Sequence, residues 1–319
     1  MKSTNTTLPV TLADVRAAAD RISPYVIRTP LMSSRTLSER LGCEIRLKCE
    51  NLQRAGSFKI RGATNALLQL SPQQRAGGVV AFSSGNHAQG VALAAKLLGI
   101  RATIVMPEGA VMSKVEATRG YGAEVVQAGV TAASRDDVAR EIATRTGATV
   151  IPPFNDVRVI SGAGTVGAEI ADEWPEVETI IVPVGGGGLL SGTAIAATSL
   201  LDNVEVIGVE PRAGNDGEQS FRKGSIVRID PPNTIADGAR TLALGEITFE
   251  IIKATVKDIV SVEDASLLEA LWYTIYRTKL LIEPTACLGI AALLNGTIRC
   301  KGPTALVLSG GNLDLKVLM

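Results

Sequence analysis

Short apolar runs alternate with longer amphipathic stretches along most of this chain. Val79-Val80-Ala81-Phe82, Ala102 to Met106, Glu124-Val125-Val126 and Thr149-Val150-Ile151 read as short strands. Between them, His87 to Leu98, Met112 to Arg119 and Thr131 to Thr146 carry helical spacing and stop at Gly99, Gly120 and Gly147. The pattern resumes after Asn155. Thr165 to Glu173 predicts a helix and Thr179 to Val184 a buried strand. Val204 to Val209, Ile259-Val260 and Ala305 to Leu308 predict further strands, with helices over Leu267 to Leu281 and Cys287 to Leu294. Such βα repetition predicts an α/β fold of open, mostly parallel sheets flanked by helices. Two lobes are expected: a small domain over 61–154, and a large domain from 1–60 and 155–319.

Composition narrows the partners. The 319 residues are 46% hydrophobic and carry no net charge. Only 3% are aromatic, and no basic stripe appears, so nucleic acid is not an expected partner. The start, Met1 to Pro9, lacks an apolar signal core, and no uncharged apolar stretch could span a bilayer. Cys43, Cys49, Cys287 and Cys300 form no Cys-x-x-Cys pair and read as reduced thiols of a cytoplasmic protein. With a single histidine, a zinc site is not expected.

The chemistry concentrates in loops at strand ends. Gly185 to Gly188 lie between an apolar run and Leu189-Leu190-Ser191. Four glycines at a strand-to-helix junction let backbone N–H groups and a helix dipole converge on an anion such as phosphate. Gly56-Ser57-Phe58-Lys59-Ile60-Arg61-Gly62-Ala63 opens a helical run, Phe58 to Leu70. A lysine at a helix N-terminus is badly placed for the dipole, so it needs another reason, such as a Schiff base with an aldehyde cofactor. Ser83-Ser84-Gly85-Asn86-His87 can cap a helix or bind a ligand carboxylate, although a lone histidine is more often structural. Glu283-Pro284-Thr285-Ala286 and Leu308-Ser309-Gly310-Gly311-Asn312 complete the set. Gly162-Ala163-Gly164-Thr165-Val166-Gly167 matches the dinucleotide fingerprint, but it lacks a preceding buried strand and an acid about 20 residues later.

Together these motifs resemble the fold-type II pyridoxal-phosphate enzymes, and within them the threonine dehydratase and serine racemase branch. The resemblance covers nearly the whole chain. It implies that Lys59 binds the cofactor covalently, Phe58 flanks the ring, Asn86 meets its phenolic oxygen and Ser309 faces its pyridine nitrogen. It implies a phosphate cradle at Gly185, Gly186, Gly187, Gly188 and Leu189, with Glu283 also lining the cofactor. Ser83, Ser84, Gly85, Asn86 and His87 would receive the substrate carboxylate. A hydroxyl at Ser309 cannot stabilise a pyridinium as a carboxylate could, which favours elimination over transamination.

The implied activity is ammonia release from an L-3-hydroxy amino acid of threonine or serine type, giving a 2-oxo acid. Serine racemase, or dehydratases of threo-3-hydroxyaspartate, phenylserine or a hydroxyectoine-derived amino acid, are the alternatives. Ser84 keeps racemisation open, because a hydroxyl opposite Lys59 could reprotonate Cα. Arg135 or Arg240 could recognise a second carboxylate, although a surface charge is the more ordinary reading of either. Other readings are β-replacement and a non-catalytic binding protein. The resemblance also implies a homodimer and a Mg²⁺ site (or Ca²⁺ or Mn²⁺) at Glu210, Gly214 and Asp216. Ala163 stands where relatives commonly have glutamine, so contacts near Asn155 would differ. The end at Met319 suggests no regulatory domain and no feedback inhibition by isoleucine.

Overall fold

The computed structural model describes residues 8–131 and 134–318. Residues 1–7, read above for targeting, and Met319 lie outside them, as do residues 132–133. Two sheets organise the described chain. The six-stranded one runs β1-β2-β10-β7-β8-β9, and the four-stranded one runs β5-β4-β3-β6. The strands are β1 (Leu31–Ser33), β2 (Ile45–Lys48), β3 (Val79–Phe82), β4 (Ala102–Val105), β5 (Glu124–Val126), β6 (Thr149–Val150), β7 (Thr179–Pro183), β8 (Glu205–Pro211), β9 (Asp258–Val262) and β10 (Thr304–Val307). All neighbours pair in parallel except β1 with β2.

The central strands explain the apolar runs. Ile180, Ile181 and Val182 of β7 are wholly buried between β10 and β8, as a parallel sheet covered on both faces requires. Ile181 packs into one apolar cluster and Ile180 and Val182 into another, on opposite faces of the same sheet. The four-stranded sheet has its own core, which includes Ile60, Val79, Ala88, Val91 and Ile104.

The glycine fingerprint at 162–167 has a different fate. The helix expected to begin at Thr165 begins at Val157 and runs to Glu173, capped by the Asp156 carboxylate. The fingerprint therefore lies inside a helix, at its closest approaches to two others. A Cβ at Gly162 would sit 2.6 Å from the Arg61 carbonyl, and one at Gly167 would sit 2.6 Å from the Thr193 carbonyl. Conversely, a Cβ at Gly192 would lie 2.5 Å from the Ile160 carbonyl. These glycines let helices Lys59–Leu68, Val157–Glu173 and Gly188–Leu200 touch backbone to backbone. A glycine inside a helix costs about 1 kcal/mol relative to alanine, which the close packing must offset.

Three other expectations change. The described helix over the third amphipathic run is Arg135–Thr146 rather than 131–146. The helix expected to reach Leu281 ends at Thr278, where Lys279 adopts a φ of 62°. The reading of four reduced thiols is corrected: Cys43 and Cys300 form a disulfide with a Cα–Cα distance of 6.3 Å, while Cys49 and Cys287 are free. Parallel pairing of β2 with β10 brings the two residues together despite a separation of 257 positions, which spacing along the chain could not reveal.

Candidate active site

Three of the sequence motifs follow the C-terminal ends of parallel strands, where α/β sheets gather ligands. The Ser83–Asn86 loop follows β3, the glycine tetrad follows β7, and Ser309 follows β10. Lys59 enters from the segment after β2. It opens helix Lys59–Leu68, which packs so tightly on helix Asn86–Leu98 that a Cβ at Gly90 would lie 3.0 Å from the Lys59 carbonyl carbon.

The lysine segment is zipped to the Ser309 segment. Ser57 bridges Gly310, the Phe58 N–H donates to the Ser309 carbonyl at 3.1 Å, and the Gly311 N–H donates to the Gly56 carbonyl at 2.8 Å. Lys59 is half-buried, and its Nζ donates to the Pro153 carbonyl at 2.8 Å. It lies 5.1 Å from the centre of the Phe58 ring. No carboxylate forms an ion pair with it among the described residues. Burial lowers its pKa to about 8, against the opposing pull of Glu283.

The glycine loop is closely packed on its neighbours. Gly187, with a φ of 89°, caps helix Gly188–Leu200. A Cβ at Gly186 would collide with the Phe154 ring at 2.2 Å, and one at Gly185 would meet the Gly238 carbonyl at 2.9 Å. Thr248 Oγ1 anchors the loop by donating to the Gly186 carbonyl at 2.8 Å. None of the N–H groups from Gly185 to Leu189 donates to an acceptor among the described residues. Five free donors at a helix N-terminus suit a dianionic phosphate. The buried Ser309 hydroxyl also has no partner, so it is free for a ring nitrogen. Cradle, amine and hydroxyl together fit pyridoxal phosphate.

Polar groups from both sheets meet across the site. Asn86 Nδ2 donates to Glu283 Oε1 at 2.6 Å. Glu283 is buried, and its pKa rises to about 7 through burial and the charge of Asp237, opposed by Lys114. Lys114 and Asp237 form an ion pair with Lys114 buried, joining helix Met112–Gly120 to the segment beside Gly185. His87 is buried, with Nε2 against the Ile151 carbonyl at 2.9 Å. Burial, with the charge of Lys59, pushes it down to about 3, so its ring is neutral and Nε2 carries the proton. Its contact is structural. Ser83 Oγ accepts from the Gly85 N–H at 3.1 Å, and Ser84 Oγ makes no hydrogen bond among the described residues.

Sequence reasoning missed Lys114, Asp237, Thr248, Phe154 and the side chain of Asn312. Only Asn312 carried a signal, as the last residue of a quoted motif. The others carry no local chemical signal, Lys114 lying on a helix read only for its spacing, and reach the site through the packing of the two sheets.

Glu210, Gly214 and Asp216 come together elsewhere, at the end of β8 and the start of helix Asp216–Lys223. Both acids are fully buried. Glu210 accepts the N–H groups of Gly217 at 3.0 Å and Glu218 at 2.8 Å. Neither oxygen of Asp216 accepts a hydrogen bond of ordinary geometry, although the Thr241 hydroxyl lies near enough to oppose the rise in its pKa. Burial and the charge of Asp216 push Glu210 well above the carboxylate range, and burial raises Asp216 to about 7.

Residues 22–310 match the family model described as pyridoxal-phosphate dependent enzyme. The chain belongs to this family. It is 50% identical over 307 residues to an L-threo-3-hydroxyaspartate ammonia-lyase of Saccharomyces cerevisiae, covering 96% of this chain and 94% of that one. It is 48% identical to a serine racemase of Schizosaccharomyces pombe, covering 98% of this chain and 97% of that one. The solved structure of a serine racemase from maize superposes with a TM-score of 0.94 at 40% identity, over 97% of this chain and 95% of that one. The fold is accordingly that of a fold-type II pyridoxal-phosphate enzyme. No helix among the described residues is long and apolar enough to cross a membrane.

Proposed function

We propose that this pyridoxal-phosphate enzyme is an ammonia-lyase that converts an L-3-hydroxy amino acid to a 2-oxo acid and ammonia by α,β-elimination. The observation that carries the reading is the Lys59 amine, lowered to about 8, with the Gly185 to Leu189 N–H groups and the Ser309 hydroxyl that bind no protein acceptor among the described residues. The bound cofactor supplies an aldehyde for the amino group and a ring that draws electrons from Cα. Gly185 to Leu189 would hold its phosphate, Asn86 would donate to its phenolic oxygen, Ser309 would donate to the ring nitrogen, and Phe58 and Glu283 would line it. The free N–H groups of Ser84, Asn86 and His87 would receive the substrate carboxylate, whereas the Ser83 N–H is held by the Val105 carbonyl at 3.1 Å and the Gly85 N–H by Ser83 Oγ. Lys59 Nζ would take the Cα proton and hand it to the departing β-hydroxyl, which leaves as water. The released enamine hydrolyses to the 2-oxo acid and ammonia. Borohydride trapping should label Lys59. A panel of 3-hydroxy amino acids, scored by 2-oxo acid release, tests the reaction. Label on another residue, or no 2-oxo acid from any member, rejects the reading.

Two observations refine the substrate. Arg135 is half-buried at the start of helix Arg135–Thr146 and has no carboxylate partner among the described residues. Together with the similarity to hydroxyaspartate ammonia-lyases, this favours a substrate with a second carboxylate. Arg135→Ala should then raise KM for hydroxyaspartate at least tenfold more than for threonine. The free hydroxyl of Ser84 favours racemisation as a second activity, and D-serine formation lost in Ser84→Ala tests it.

A divalent cation belongs to the same proposal. Asp216 offers two oxygens that accept no hydrogen bond of ordinary geometry, Gly214 a carbonyl with no donor among the described residues, and Glu210 further lone pairs. Hard oxygen donors suit Mg²⁺, Ca²⁺ or Mn²⁺, with water completing the shell. A homodimer is supported by the exposed, stacked Trp272 and Tyr276 with Leu281 nearby in sequence. Sedimentation at micromolar concentration tests it. A cytoplasmic location is also proposed: Cys49 and Cys287 stay free thiols, and the Cys43–Cys300 bond is the feature that argues the other way.

A further inference from the structure

Asn312 ends the run Ser309-Gly310-Gly311-Asn312, and nothing above gives its side chain a task. Its Nδ2 donates to Asn86 Oδ1 at 2.9 Å and to the Ala55 carbonyl at 2.8 Å. These acceptors belong to the two segments that carry the chemistry, the turn before Lys59 and the first turn of helix Asn86–Leu98. Ala55 has a φ of 58°, a left-handed conformation that disfavours any residue with a Cβ, and Gly56 follows at 69°. A Cβ at Gly56 would lie 2.4 Å from Asn312 Oδ1. The asparagine thus clasps a strained turn.

On its other side it decides how Asn86 points. The two ends of an amide are chemically opposite, one accepting and one donating. Asn312 engages the oxygen of Asn86, and Glu283 Oε1 takes one hydrogen of its nitrogen at 2.6 Å. One N–H of Asn86 then remains free, with its direction set by the other two bonds.

We infer that Asn312 is a positioning residue, which orients the Asn86 amide so that its free N–H serves the cofactor's phenolic oxygen. This rests on the role proposed above for Asn86. An aspartate at 312 has no donor, so Asn86 would turn its nitrogen toward it and withdraw that N–H.

The test uses holoenzyme of the wild type and of Asn86→Ala, Asn312→Ala, Asn312→Asp and the double variant Ala55→Gly/Asn312→Asp. Glycine at 55 removes the left-handed strain and so keeps the turn foldable without its clasp. Two readouts are taken: the pH midpoint of the long-wavelength cofactor band, and the cofactor Kd. A phenolic oxygen that loses a donor holds the neighbouring proton more tightly, so the midpoint should rise in Asn86→Ala and in every Asn312 variant. Cofactor Kd should rise about tenfold, the effect of one lost hydrogen bond. If Asn86→Ala moves the midpoint and the Asn312 variants do not, the inference falls while the Asn86 reading stands. If Ala55→Gly restores the midpoint, Asn312 acts on the turn alone, which also overturns it. If even Asn86→Ala leaves the midpoint in place, the reading of Asn86 itself fails.

Discussion

Lys59 and Arg61 sit two positions apart on one helix, yet they belong to opposite electrostatic regimes. Arg61 is fully buried and bound on two sides: Glu50 at 2.8 Å and Glu169 at 2.7 Å, with Thr165 Oγ1 at 3.1 Å. Lys48 adds a second buried cation, 2.7 Å from Glu169. In this network Arg61 holds Glu50 below the usual carboxylate range despite its burial. Lys59 has no such partner and falls to about 8. The acids show the same division. Glu50 is matched by a cation, whereas Glu210 and Asp216 are buried with none. Matched burial makes scaffolding that fixes where the helix sits. Unmatched burial instead drives a group toward its neutral form, because a lone buried charge is costly to keep.

The sharpest test of that division is Lys59→Ala. Activity should fall at least about 10³-fold while stability changes little, since a poorly solvated amine is removed. A matching loss of stability in urea titration would erase the distinction. In the unaltered apoprotein, the rate of pyridoxal phosphate uptake should rise with pH through a midpoint near 8, as the amine loses its proton. A midpoint near 10.5, the ordinary lysine value, would show that burial does not tune it.

Arg61→Met should show the reverse pattern. It leaves Glu50 and Glu169 facing each other without their shared cation, at a cost of about 3–5 kcal/mol. Denaturant unfolding measures this, and a loss below about 1 kcal/mol would mean that the network is not scaffolding.

Next in size is the effect of metal. Mg²⁺ at 100 times its Kd should stabilise the protein by about 2.7 kcal/mol. Chelation should lower Tm, and Asp216→Asn should make Tm indifferent to both. Equal metal response in wild type and variant would remove the site.

The smallest effect is on the acid side. Glu50 has a lowered native pKa, so its stabilisation is fully present above the unfolded value of 4.5 and is lost as pH falls through the native one. Arg61→Met should flatten the fall in stability below pH 4.5. An unchanged acid limb would assign that fall to other carboxylates.

Much of the site was legible because its chemistry needs unusual local sequence. Only glycine lets several backbone N–H groups converge on one point without a Cβ in the way, so the tetrad announced itself. A lysine at a helix start, against the dipole, was equally conspicuous. The motif at 162–167 shows the limit of this reasoning. Its glycines are real close-approach points, but they face the carbonyls of neighbouring helices rather than a pyrophosphate. Local sequence reports that a backbone must come near something, not what that something is.

From the chain alone came the alternation of strands and helices, the glycine tetrad after a buried strand, the lysine at a helix start and the family that combines them. These follow from short-range rules of periodicity, turn conformation and motif spacing. Tertiary structure decided the rest: that Cys43 meets Cys300, that Lys114 reaches Asp237, that His87 spends its proton on Ile151, and that Asn312 ties Asn86 to the turn before Lys59. Each joins segments distant along the chain. Such contacts depend on which strands pair and how two sheets face each other, and no local pattern encodes that.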